Sequence, residues 1–271
     1  MAEYSAHYPK SAFSHKAWQT FQRYVEDQHG VVGVAAFIGG SVARGVAQPG
    51  SDVDGVIITP DGADKPLSQR KKITIDGIPL DLAVFNMTGL KRRLEGEYRR
   101  ANPWVMDIVA TGPNLFNARS NTAVTARSIA RDYVRKGPPE FTPRQQRSSQ
   151  VELTELADSL RQSTDPKEQR FIASMMVPKL AGFHLRSNKQ WIGSYRRLLT
   201  RLRDMDKGYA DRLDTAVHQH LAVGGKTEPL LQLTLETLAP AGGFSRDLDT
   251  ETMPALPSAK PSKPPEPGKK L

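Results

Sequence analysis

No cysteine occurs among the 271 residues. That excludes disulfides, thiolate zinc sites and cysteine nucleophiles, and it fits a cytoplasmic setting. Aromatic residues make up only 7%, and the six histidines are scattered apart from His218 and His220, so a histidine metal cluster is not expected. Long apolar runs are missing as well. Nothing approaches the roughly 18 residues of a membrane helix, and the N-terminus lacks the apolar core of a signal peptide, so no membrane partner is expected. Negative charge is also in short supply: 29 acids face 38 lysines and arginines, for a net charge of +9.

The positive excess is clustered at 91–93, 99–100, 131–136, 144–147 and 196–203. Such a field attracts nucleoside triphosphate and nucleic acid and repels polycationic acceptors. Read as solvated helix faces, the same clusters need no partner.

The informative chemistry is concentrated in 31–58. An apolar run over 31–38 ends in Gly39-Gly40-Ser41, and after a short polar connection a second β-branched run starts at Asp52-Val53-Asp54. Two glycines free the backbone so that successive N–H groups can converge on an anion, with the Ser41 hydroxyl as a further donor. A helical turn over 42–46 would add the favourable partial charge of its N-terminus. On a strand, residues i and i+2 share a face, so Asp52 and Asp54 project together and Val53 and Ile57 project oppositely. Two carboxylates so placed do not both ionise cheaply unless a cation sits between them. Mg²⁺, as one or two ions, suits oxygen ligands shared between carboxylates and phosphates, with Mn²⁺ as the alternative.

A third acid follows on a hairpin. Two extended runs over 71–85 are joined by Asp76-Gly77, a two-residue turn signal. On the second run Asp81 shares a face with Ala83 and Phe85, and Leu80, Leu82 and Val84 take the other. An acid in an apolar strand is costly unless paired or bound to metal, so Asp81 completes the expected site. Pro79 suggests that this strand lies at an edge or bulge.

These residues carry a resemblance. Gly39-Gly40-Ser41, ten residues, Asp52-Val53-Asp54 and then Asp81 on a later strand resembles the signature of the DNA polymerase β-type nucleotidyltransferase superfamily. The likeness is to its small bacterial members, the antibiotic adenylyltransferases and the minimal nucleotidyltransferases of toxin–antitoxin systems, over residues 30–86. It implies an enzyme that moves a nucleoside monophosphate from an NTP, ATP favoured, to an acceptor hydroxyl and releases pyrophosphate. Asp52 and Asp54 would hold the metal of the triphosphate, and Gly39, Gly40 and Ser41 the outer phosphates. Asp81 would share a second metal or take the acceptor proton, and Arg44 would neutralise the leaving pyrophosphate. By the same likeness Lys189, in the turn 187–191, would reach the triphosphate. The implied acceptor is a small molecule such as an antibiotic; the alternatives are a toxin-type or regulatory enzyme acting on tRNA or protein, and a nucleotide-binding module without turnover. The oligomeric state is open.

The expected class is α+β: a small mixed sheet with flanking helices, followed by a helical bundle. A helix over 12–28 precedes the strands. After the hairpin come helices over 88–100, 104–110 and 122–135, with a strand or turn at 112–116. Four helix breakers within seven positions make 137–147 the linker between a nucleotidyltransferase domain, 1–136, and a helical acceptor-binding domain, 148–243. The bundle helices are expected at 150–161, 166–185, 193–205, 208–221 and 229–238, with a kink at Pro178. Glu152, Glu155 and Asp158 read as a solvated helix face. The Pro- and Lys-rich stretch 244–271 has too little apolar content to order itself.

Overall fold

The computed structural model describes residues 11–60, 66–116, 120–193, 196–221 and 225–247. Its first helix, α1 (Ala12–His29), opens where the Ser11 hydroxyl accepts the Ser14 N–H and stops at Gly30, whose φ is 67°. Its apolar stripe of Ala17, Phe21, Tyr24 and Val25 is buried.

Four strands follow: β1 (Ala35–Ile38), β2 (Val53–Thr59), β3 (Ser68–Ile75) and β4 (Ile78–Asn86), with the four-residue helix α2 (Gly40–Ala43) between the first two. The sheet order is β1-β2-β4-β3; β2 and β4 are parallel and the other two pairings antiparallel. β1 is shorter than the apolar run 31–38 suggests. Gly33 turns the chain with φ of 72°, which leaves Val31 and Val32 exposed. The hairpin is as expected, with Asp76 and Gly77 both at positive φ, the geometry of a two-residue turn that matches strand twist.

The expected edge position of the Asp81 strand is corrected: β4 lies between β2 and β3. Pro79 is tolerated there because pairing with β2 begins only at Leu80, so at Pro79 the strand has a single neighbour, Thr74 of β3.

The two sheet faces bury separate cores. Ala36, Ile38, Val53, Ile57, Leu80, Leu82 and Val84 pack against α1. Phe37, Val56, Ile58, Ala83 and Phe85 pack against three further helices, α3 (Met87–Arg99), α4 (Val105–Thr111) and α5 (Asn121–Lys136). The segment 112–116 extends the sheet beside β1, through Phe37 bridged to Asn114 and the Leu115 N–H on the Ala36 carbonyl.

The helical region comprises α6 (Pro143–Gln162), α7 (Pro166–Ser187), α8 (Arg196–Met205), α9 (Lys207–Leu221) and α10 (Glu228–Leu238), around a core that includes Leu153, Leu180, Leu202, Leu213 and Leu230. α6 starts inside the expected linker, because Thr142 and Gln145 form a reciprocal capping box with Pro143 in the first turn. The first residues of the expected tail, 244–247, are among those described. Ser245 is buried with its N–H on Thr154 Oγ1, and Arg246 pairs with Asp158. The remainder of that stretch, 248–271, lies outside the described residues. Trp191, just past α7, is buried in the core of the sheet region, and the Ile192 N–H donates to the Ala101 carbonyl, so the loop after α7 joins the two parts.

Candidate active site

The site is built at the β1–α2 turn and the adjoining ends of β2 and β4. The Gly39 N–H donates to the Asp54 carbonyl at 2.8 Å, which ties the turn to β2. Gly40 has φ of 64°, and a Cβ there would lie 2.1 Å from Asp54 Oδ2. The glycine is therefore required twice, for its conformation and for the space that the carboxylate occupies. Gly39 needs its own missing side chain because Ile108 of α4 would meet a Cβ at 2.5 Å. The N–H groups that open α2 have no acceptor within the helix, as at any helix start.

Asp54 pairs directly with Asp81 in the parallel register. Burial, reinforced by the charges of Asp52 and Asp81, pushes the Asp54 carboxyl above the usual carboxylate range, against a hydrogen bond from Trp104 and the field of Arg197. Asp52 itself is exposed. Crowded carboxylates of this kind fit a divalent cation, which relieves their repulsion and supplies the missing positive charge. Asp81 is placed differently. Its Oδ1 accepts from Arg70 Nε at 2.8 Å and its Oδ2 from Arg70 Nη2 at 2.6 Å, with Lys72 Nζ 3.4 Å away. The Arg70 hydrogen bonds hold its carboxyl below the usual range. Among the described residues, no three His, Cys, Asp or Glu side chains gather closely enough to hold a metal ion. Arg70 and Lys72 hold the Asp81 carboxylate.

A supporting shell was not legible in the sequence. Trp104 starts α4 without a capping side chain of its own. Glu97 of α3, with its side chain 1% exposed, caps the helix by accepting the N–H groups of Trp104, Val105 and Met106. Burial raises its carboxyl despite those bonds and the Arg93 pair. Glu97 thereby holds the backbone of the residue whose indole bonds Asp54. From the helical region, Arg201 of α8 pairs with Asp107 of α4 at 2.6 Å, and the charge of Arg197 acts on both Asp107 and Asp54. Leu198 and Leu202 of α8 pack in the bundle core, which leaves the arginines to the domain junction. Arg70 and Lys72 did have a signal, since a two-residue turn at 76–77 fixes Lys72 opposite Asp81. Glu97, Trp104 and Arg201 had none, because each acts on a residue of another element.

Two further expected nucleotide ligands are surface residues. Arg44 is exposed at the end of α2. Lys189 is an exposed turn residue with φ of 55°, its N–H on the Arg186 carbonyl.

Residues 19–112 match the family of nucleotidyltransferase domains. The chain carries a nucleotidyltransferase domain. The match spans α1 to α4 and includes the Gly40 turn, Asp54 and Asp81. Its superfamily is the polymerase β type, and the chain is an enzyme of the nucleotidyltransferase kind. Among solved structures, the chain is similar to a nucleotidyltransferase-like protein from Exiguobacterium sibiricum, with 16% identity and a TM-score of 0.43 over 82% of this chain and 73% of that one. No curated protein matches. The nucleotidyltransferase domain has the α+β architecture expected for it, a four-stranded mixed sheet with helices on both faces. Among the described residues no helix is long and apolar enough to cross a membrane.

Proposed function

We propose that this nucleotidyltransferase moves AMP from ATP to the hydroxyl of a small molecule such as an antibiotic. The Pα–O bond to the β-phosphate breaks, a bond from the acceptor oxygen to Pα forms, the hydroxyl proton leaves, and pyrophosphate departs with the bonding pair. Transfer of this kind depends on positioning and charge stabilisation. A divalent cation, Mg²⁺ by preference, would polarise the phosphoryl oxygens when bound. Asp52 and Asp54 are the residues that would hold it. The Gly39-Gly40-Ser41 turn would seat the outer phosphates, Arg44 and Lys189 are held as further contacts to them, and Arg197 adds positive charge from the helical region. Trp104 keeps Asp54 oriented, and Asp81 would stand toward the acceptor.

The observation that carries this reading is the contact between Gly40 and Asp54. The glycine at the centre of the turn leaves room only for that carboxylate, so a phosphate on the turn and a cation on Asp54 would be neighbours. A small-molecule acceptor is favoured by the two-part layout, in which a helical region meets the nucleotidyltransferase domain through Arg201 of α8 and Asp107 of α4. An RNA acceptor is the second reading, favoured by Arg127, Arg131 and Arg135, which line a groove of about 630 Å³ along α5.

Incubation with Mg²⁺, each labelled NTP in turn, and either an antibiotic panel or total tRNA tests both. Label from ATP on a small molecule, insensitive to moderate salt, is expected. Label on tRNA that falls steeply between low and moderate ionic strength would replace the first reading by the second. No label from any NTP on any acceptor would count against transfer itself.

A further inference from the structure

Asp54 and Asp81 are partners in one register, but only one of them is left for a cation. Both oxygens of Asp81 are taken by the guanidinium fork of Arg70, and Lys72 Nζ stands 3.4 Å from Oδ2. A bidentate fork on a carboxylate that is 8% exposed is among the stronger and more directional ion pairs available to a protein. Arg70 is held from a second side as well, with its guanidinium 5.0 Å from the centre of the Trp104 ring. Trp104 in turn bonds Asp54. The guanidinium therefore lies in the same small network as the cation seat, fixed by a carboxylate and an aromatic face. Together Arg70 and Lys72 bring two positive charges to one carboxylate, the charge that a second divalent ion would bring.

Resting on the reading of the site above, we propose that this nucleotidyltransferase works with one divalent cation, held by Asp52 and Asp54. Arg70, seated on Asp81 and Trp104 and seconded by Lys72, supplies positive charge in place of a second ion. Asp81 is then the anchor of a cationic side chain. A guanidinium is charged at every working pH and cannot dissociate from the chain, so the acceptor side of the site keeps its positive charge whatever the metal supply. The role is one of positioning charge beside the reacting groups, and it makes the stoichiometry of the metal the decisive quantity.

Manganese counting by electron paramagnetic resonance, on the full chain with a non-hydrolysable ATP analogue, tests this without turnover. The expected result is one bound Mn²⁺ per chain, with no spin coupling between ions, unchanged in Asp81→Asn. Removing both cations, in Arg70→Ala with Lys72→Ala, should bare the carboxylate and raise the count to two, with a coupled signal from ions about 3.5–4 Å apart. Both side chains are more than half exposed, at 58% and 70%, so their removal opens no core. Two ions in the unaltered protein, the second lost in Asp81→Asn, would overturn the proposal. So would a double variant that still holds one. A count of one that does not respond to Asp54→Asn would instead remove the cation seat on which the proposal rests.

Discussion

Asp54 and Asp81 face each other across the parallel β2–β4 register, and their carboxyl groups are displaced in opposite directions. Burial and the charges of Asp52 and Asp81 raise the first, while the hydrogen bonds of Arg70 lower the second. Two acids of the same type on neighbouring strands thus take different roles from the company they keep. One is left short of positive charge and the other is supplied with it.

Removing the under-supplied carboxylate should abolish activity without harming the fold. Asp54→Ala is expected to lose at least about a hundredfold in nucleotidyl transfer, the scale of a lost electrostatic group. Its melting temperature should hold or rise, because a crowded like charge is removed. Labelled-AMP transfer and thermal unfolding measured on the same preparation check both halves. Full activity in the purified variant would dismiss the cation seat.

Gly40→Ala should act on the same contact from the other side. The methyl group would lie 2.1 Å from Asp54 Oδ2, at a φ of 64° that disfavours alanine. A stability cost of about 1 kcal/mol from the backbone is expected, with a much larger loss of transfer as Asp54 is pushed aside. Nucleotide affinity by calorimetry, compared with the unfolding midpoint, separates the two effects. A variant with unaltered nucleotide binding would show that the turn does not seat phosphate.

Glu97→Ala should reach the site through α4. The change leaves the N–H groups of Trp104, Val105 and Met106 without their acceptor and creates a void at a residue that is 1% exposed. A loss of about 2–4 kcal/mol is expected, larger than an ordinary cap because the groups are buried. Trp104→Phe, which keeps the ring but not the indole donor, should leave stability nearly unchanged and lower transfer by about tenfold, the worth of one hydrogen bond. Equal damage to stability in both variants would mean that Trp104 is mainly a packing residue.

The helical region should weaken in mild acid. Burial lowers the His184 imidazole below the ordinary histidine value, outweighing its contact with Asp206, and the ring stacks on Tyr209 at 3.6 Å. A depressed base binds its proton first in the unfolded chain, so stability is present above about pH 6.5 and is lost as the pH falls below it. His184→Phe, which keeps a ring on Tyr209, should reduce the fall in melting temperature between pH 7 and pH 5.5. It should not remove it, since burial lowers His29 as well and with the same sign. Asp206, held down by the Tyr209 N–H, titrates below this window. Identical pH profiles in the two proteins would place the dependence elsewhere.

Much of this architecture is local in origin and was legible for that reason. The Asp76-Gly77 turn, the alternation along β4 that sets Asp81 with Ala83 and Phe85, and the stripe of α1 depend on spacing and on the conformations that glycine and aspartate tolerate. The ends of elements were less legible. Gly33 shortens β1, and the pairing of β4 with β2 from Leu80 onward decides that Pro79 can sit in an interior strand. Pairing is a property of two segments, and neither records it alone.

The same division runs through the site. Sequence by itself singled out Gly40, Asp52, Asp54 and Asp81 as the residues expected to carry the chemistry, because anion seats favour glycine at positive φ and cation seats favour acids close together at the start of a strand. Tertiary structure alone decided how those acids differ. Arg70 reaches Asp81 across a hairpin, Trp104 reaches Asp54 from α4, Glu97 holds Trp104 from α3, and Arg197 adds its field from α8. The charge and burial around a carboxylate are sums over neighbours brought from up to 143 positions away, and only the folded chain performs that sum.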